Sequence, residues 1–143
     1  TAQLEAQKGK TLDITEVTIN GSKYPVVKIE SRAFKGCKFK KVVAKNLKNI
    51  NGGAFRKCKQ LKSINLGTDR KIRKIHSKAF YDDKKLSTIK LDGRKFKEAG
   101  KQAFQGVKKN CTIKVKGNKT QYNNAVKKLK KGVGSTKVKF ARI

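Results

Sequence analysis

The sequence has no tryptophan, no methionine, one proline, one histidine and only nine acidic residues in 143 positions. One histidine and nine carboxylates leave little stock for acid–base catalysis or for a metal centre. Three cysteines are an odd number, which cannot close a disulfide framework. No run of about 18 apolar residues exists, so no membrane-spanning helix is predicted. The start lacks the charged-then-apolar pattern of a secretory signal. It opens at Thr1 without any methionine in the chain, which points to a processed product or an excised piece. What is abundant is positive charge: Lys+Arg is 39, and the formal net charge is +30. Hydrophobic residues make up 36% and charged residues 34%, and the length suits one domain with a modest core. Such a charge would imply disorder if the apolar residues were scattered.

They are not scattered. Ala-Phe occurs four times, at Ala33-Phe34, Ala54-Phe55, Ala79-Phe80 and Ala103-Phe104, at spacings of 21, 25 and 24 residues. Eight residues before each Phe stand Val26, Leu47, Ile72 and Phe96, and five before stand Ile29, Ile50, Ile75 and Ala99. Eight or nine after come Val42, Ile64, Ile89 and Ile113, then Ala44, Leu66, Leu91 and Val115. A further apolar place is held by Phe39, Leu61 and Leu86, with Cys111 as the candidate in the fourth repeat. Periods of this length mark stacked coils. Pairs such as Ile64-x-Leu66 read as short half-buried strands, one per coil, stacking into a parallel sheet. The Ala-Phe segment is the return side, with Phe34, Phe55, Phe80 and Phe104 as a structural ladder. No coil buries its own face, and neighbours bury it for one another.

Covered ends are expected on either side. Leu12 to Ile19 with Asn20-Gly21 predicts a hairpin or strand before the first coil. After the last coil, Tyr122, Ala125, Val126 and Leu129 make one helix face, with Thr120 as N-cap, Gly132 as stop and a last strand through Val138 and Phe140. The expected division is residues 1–25 as N-terminal cap, 26–116 as four coils and 117–143 as a helix–strand cap.

The pattern Ile75-x-x-x-Ala79-Phe80-x-x-x-x-x-Leu86-x-x-Ile89-x-Leu91 resembles the BspA-like leucine-rich repeat, as do Cys37 and Cys58 three residues after their Phe. The likeness covers roughly Val26 to Val115. The resemblance implies a mainly β, right-handed leucine-rich repeat solenoid with one parallel sheet, short irregular return segments and a capping helix. It also implies a bacterial protein, secreted or at the cell surface or wall, that adheres to host or matrix components; it carries over no ligand residues. The first coil is short, and the fourth has Val107 at the Cys position.

Candidate chemistry is sparse. His76 falls at a variable turn position with no nucleophile near it. Cys37 and Cys58 lie one coil apart, near disulfide reach or as buried thiols in a ladder, the latter being favoured. Asp82-Asp83 reads as a solvated turn, because Lys84-Lys85 replaces the oxygens a calcium loop needs. Gly52-Gly53 and Gly93 read as turns. No cofactor, metal or catalytic residue is predicted, and the chain reads as non-enzymatic.

The charge is 33 Lys against 6 Arg. Arg is suited to bidentate phosphate recognition, whereas a lysine excess makes a diffuse field that holds polyanions without reading them. If the apolar strand residues point inward, Thr18, Val43, Asn65, Lys90, Lys114 and Lys139 form an outward row flanked by Lys116 and Lys137. Lys127, Lys128, Lys130 and Lys131 extend it on the tail helix. The expected binding residues are therefore Lys90, Lys114, Lys116, Lys137 and Lys139. The competing account is a lysine coat that keeps the surface soluble. The expected function is a non-catalytic extracellular adhesion module for a host or matrix protein, an anionic polysaccharide or a teichoic acid. A nucleic-acid-binding role comes second, opposed by the lack of Arg clusters and free aromatics. A purely structural unit of a larger surface protein comes third.

Overall fold

The computed structural model describes residues 10–143; the first nine residues of the expected N-terminal cap lie outside them. Among the described residues, twelve short strands and one helix follow in order: β1 (Thr11–Asp13), β2 (Glu16–Ile19), β3 (Ser22–Pro25), β4 (Lys28–Ile29), β5 (Lys41–Val43), β6 (Asn49–Ile50), β7 (Ser63–Asn65), β8 (Lys74–Ile75), β9 (Thr88–Asp92), β10 (Glu98–Ala99), β11 (Cys111–Lys116), α1 (Lys119–Leu129) and β12 (Val138–Arg142). A 3-10 turn at Lys130–Gly132 follows the helix.

The predicted strands assemble into a six-stranded parallel sheet, β1-β5-β7-β9-β11-β12. Its register sets Leu12, Val42, Ile64, Ile89, Ile113 and Phe140 in one row. The first five are buried and Phe140 is half-buried. The expectation of one parallel sheet is corrected by a second, β10-β8-β6-β4, also parallel. It is built from the column Ile29, Ile50, Ile75 and Ala99. Its strands have two residues each, too short for any alternation to show in sequence. At the N-terminal side, β1 joins the main sheet, and β2 and β3 form an antiparallel hairpin.

The return side explains the repeated Ala-Phe. Two residues before each Phe the backbone is left-handed, at Arg32, Gly53, Lys78 and Gln102; two residues after, it is left-handed again, at Gly36, Lys57, Asp82 and Gly106. Small Ala fits between two such reversals. Backbone bonds then tie neighbouring segments: Phe34, Phe55 and Phe80 donate their N–H to the carbonyls of Ala54, Ala79 and Ala103, each at 2.8 Å. Phe104 donates to Gly132, also at 2.8 Å, so the 3-10 turn covers the last repeat. The four rings stack nearly parallel, with centroids 5.4, 5.6 and 5.8 Å apart.

In α1, Ala125 and Leu129 are buried and Tyr122 and Val126 half-buried, as the periodicity predicts. The N-cap is Asn118 rather than Thr120: its side chain accepts the N–H of Gln121, whose own side chain accepts the N–H of Asn118. This reciprocal box satisfies two otherwise orphan donors, so the helix starts two residues earlier than Thr120 would set it.

Candidate functional site

The outward face of the main sheet is organised by its register. One row runs Asp13, Val43, Asn65, Lys90, Lys114 and Ala141. The next runs Thr11, Lys41, Ser63, Thr88, Thr112 and Lys139. Lys90 and Lys114 thus share a row, as expected. Lys139 does not join it: β12 pairs two residues out of the anticipated register, placing Lys139 beside Thr112 and on the diagonal from Lys114. Thr18 leaves the row altogether, because it stands in the β2–β3 hairpin. Lys116 pairs with Asp92 at the far end of β9. Lys137 precedes β12, and its carbonyl accepts the N–H of Asn110 at 2.8 Å. Lys114, Lys137 and Lys139 are exposed, and Lys90 and Lys116 half-buried. On the helix, Lys127, Lys130 and Lys131 are exposed. Lys128 turns inward to donate to the Phe96 carbonyl at 3.1 Å.

Among the basic concavities on the return side, two border the first repeats. One, of about 480 Å³, is lined by Ser31, Arg32, Gly53, Arg56, Ser77 and Lys78. Gly53 is the only residue of its left-handed column without a side chain, and a Cβ there would touch the side chains of Arg32 and Arg56. Arg56 and Lys78 both lie over the Tyr81 ring, at 4.9 and 5.6 Å from its centroid. The other, of about 630 Å³, surrounds Cys37 with Lys35, Lys38, Lys57 and Lys59.

The third position after each Phe forms a column of its own: Cys37, Cys58, Asp83 and Val107. Cys58 is buried, while Cys37 is only half-buried, which corrects the expectation of two buried thiols; both are free. Among the described residues, no preceding repeat covers Cys37. Its Sγ lies 2.9 Å from Cys58 Sγ, and Cys58 Sγ donates to the Phe34 carbonyl at 3.1 Å. The hydrogen bond with Cys58 holds the Cys37 thiol below its ordinary value, whereas the same contact and burial push Cys58 far up. Asp83 is not a solvated turn residue. It is fully buried, its Oδ1 accepts the Cys58 N–H at 2.8 Å, and Oδ2 has no partner. Burial pushes its carboxyl up to about 9.

Asp92 is the other buried acid that the sequence reading missed. Arg94 grips it with Nη2 at 2.6 Å from Oδ2 and Nε at 3.0 Å from Oδ1, and donates from Nη2 to the Thr68 carbonyl. Burial alone would raise this carboxyl; the Arg94 guanidinium and the N–H groups of Arg94 and Arg70 outweigh it and hold Asp92 below the usual range. Cys111 opens β11 as a buried thiol, pushed up to about 12 by burial. His76 is half-buried at the turn after β8. Among the described residues no cluster of His, Cys, Asp and Glu could hold a metal ion. Among them, too, no helix is long and apolar enough to cross a membrane.

Against known families, the model of the BspA type leucine rich repeat region matches residues 11–131, in six copies. Searches of curated proteins and of solved structures returned no match.

Proposed function

The chain belongs to the BspA type leucine rich repeat family, and on that premise we propose that it is a non-catalytic extracellular adhesion module that holds anionic polymers on a basic sheet face. Repeats of this kind generally serve as protein-binding scaffolds, and the family is typically associated with bacterial surfaces. The parallel pairing supports a right-handed solenoid, the hand that nearly all parallel crossovers take. The observation that carries the polyanion reading is the outward cluster Lys90, Lys114 and Lys139, which faces no acidic residue in its own rows beyond Asp13 at the opposite edge. Lys116 and Lys137 flank the cluster. Teichoic acids and sulfated polysaccharides fit such a field, as does an acidic host or matrix protein.

A competition titration at about 0.15 M salt, where screening is already short-ranged, tests the reading. Labelled protein is offered teichoic acid, heparin and duplex DNA of matched charge. Preference for a wall or matrix polymer, lost in the triple variant K90E/K114E/K139E, supports it. Preference for DNA favours the nucleic-acid reading, and equal weak binding to all three, abolished by salt, reduces the charge to a surface property.

A further inference from the structure

We propose that Cys37 and Cys58 form a thiol–disulfide exchange site that takes anionic disulfides and closes into a cross-link between the first and second repeats. This stands apart from the sheet face and does not depend on the polyanion reading.

Four observations converge on it. The two sulfurs are 2.9 Å apart on successive turns that are already bonded backbone to backbone, with Gly36 N–H donating to the Arg56 carbonyl at 2.8 Å. One thiol is accessible and the other is not: Cys37 is half-buried and Cys58 fully buried. Cys37 opens onto a concavity ringed by Lys35, Lys38, Lys57 and Lys59, with no acid among its lining residues. Positive charge around a thiol favours the thiolate, the form that attacks. Beneath the pair, Asp83 fixes Cys58 through its backbone N–H.

The chemistry follows from that asymmetry. The Cys37 thiolate attacks one sulfur of an external disulfide; a bond forms between Cys37 Sγ and that sulfur, the external S–S bond breaks, and the first thiolate leaves. Cys58 Sγ then attacks Cys37 Sγ. The mixed S–S bond breaks, the second external thiolate departs, and it takes up the proton that Cys58 gives up. Two protein thiols are oxidised and one external disulfide is reduced to two thiols. The four lysines select among disulfides by charge, as a cationic rim concentrates anions and repels cations.

The test uses oxidised glutathione as an anionic disulfide and cystamine as a cationic one, on the full chain. With glutathione, the intact mass should fall by two hydrogens, and a peptide map should join the segments holding Cys37 and Cys58. C58S should stop at a stable mixed disulfide on Cys37, while C37S should stay unmodified. At low salt glutathione should react roughly tenfold faster than cystamine, the gap closing as salt rises. Far-ultraviolet circular dichroism of each variant separates lost chemistry from lost fold. The proposal is overturned if folded wild type keeps a mixed disulfide without resolving it, if Cys37 and Cys111 react at equal rates, or if the two reagents react alike at low salt.

Discussion

Asp83 Oδ1 accepts the backbone N–H of Cys58 at 2.8 Å, joining turns one repeat apart through a carboxyl that no solvent reaches. Burial raises its pKa to about 9, so the folded protein keeps a proton there that the unfolded chain releases near its ordinary value. The stability it allows is fully present below about pH 4 and is lost as pH rises toward about 9. Thermal unfolding should therefore show wild type losing stability relative to D83N progressively across that window. Parallel curves for the two proteins would show that Asp83 ionises freely in the fold.

Asp92 has the opposite sign. Its carboxyl is held low by Arg94 and two backbone N–H groups, so it stabilises the fold above the ordinary carboxylate pKa and ceases to do so as pH falls through its lowered value. R94Q should be less stable than wild type at neutral pH, and the two should converge in acid below about pH 4. Acid titration followed by circular dichroism reads the convergence.

The ring ladder should carry a graded share of stability. Phe55 and Phe80 are wholly buried between neighbours, so F55A or F80A should cost about 3–5 kcal/mol in urea unfolding. Phe34 is half-buried with a ring on one side only, and F34A should cost clearly less. A loss under about 1 kcal/mol at Phe55 would contradict the packing.

Gly100 faces the turn holding His76. A Cβ there would collide with the Ser77 backbone nitrogen and stand 2.7 Å from the His76 carbonyl carbon. Backbone cannot swing aside as a side chain does, so G100A should destabilise by roughly 1–3 kcal/mol, again read by urea unfolding. The same change at Gly36, where a Cβ meets nothing within 4 Å, should show only the cost of its left-handed backbone.

On the sheet face, K90E/K114E should weaken polymer binding more than K139E paired with K41E, a distant lysine of the same row. Lys90 and Lys114 are cross-strand neighbours, whereas Lys41 and Lys139 stand at opposite ends of their row. Equilibrium titration of the two double variants at one salt concentration decides it.

The repeat was legible because Phe, Ile and Leu recur at positions where burial admits little else. Leu47, Ile50, Leu61, Ile64, Ile72 and Ile89 are each buried as their columns imply. The second sheet escaped because two-residue strands such as β6 and β8 are too short for side-chain alternation, so the column Ile29, Ile50, Ile75 and Ala99 did not read as strand. Asp83 escaped for a different reason. Its charge suggested solvent, yet it occupies the same place after Phe80 that Cys37 and Cys58 occupy after theirs. Reading the column rather than the residue would have found it. The binding row was half legible: alternation gave the outward face, but the offset of β12 that moves Lys139 beside Thr112 depends on how the chain returns from α1, which strand periodicity does not encode.

The two ends of the Ala-Phe series differ. At the far end, Ala103 and Phe104 are buried and Phe104 bonds to Gly132; at the near end, Ala33 is exposed and Phe34 half-buried. Each repeat leans on its neighbours, so among the described residues loosening starts at the less covered rung. Strain, heat or a protease would thus peel the array from the Phe34 side, one rung at a time. A sulfur bridge between the first two rungs would latch the place where that peeling begins.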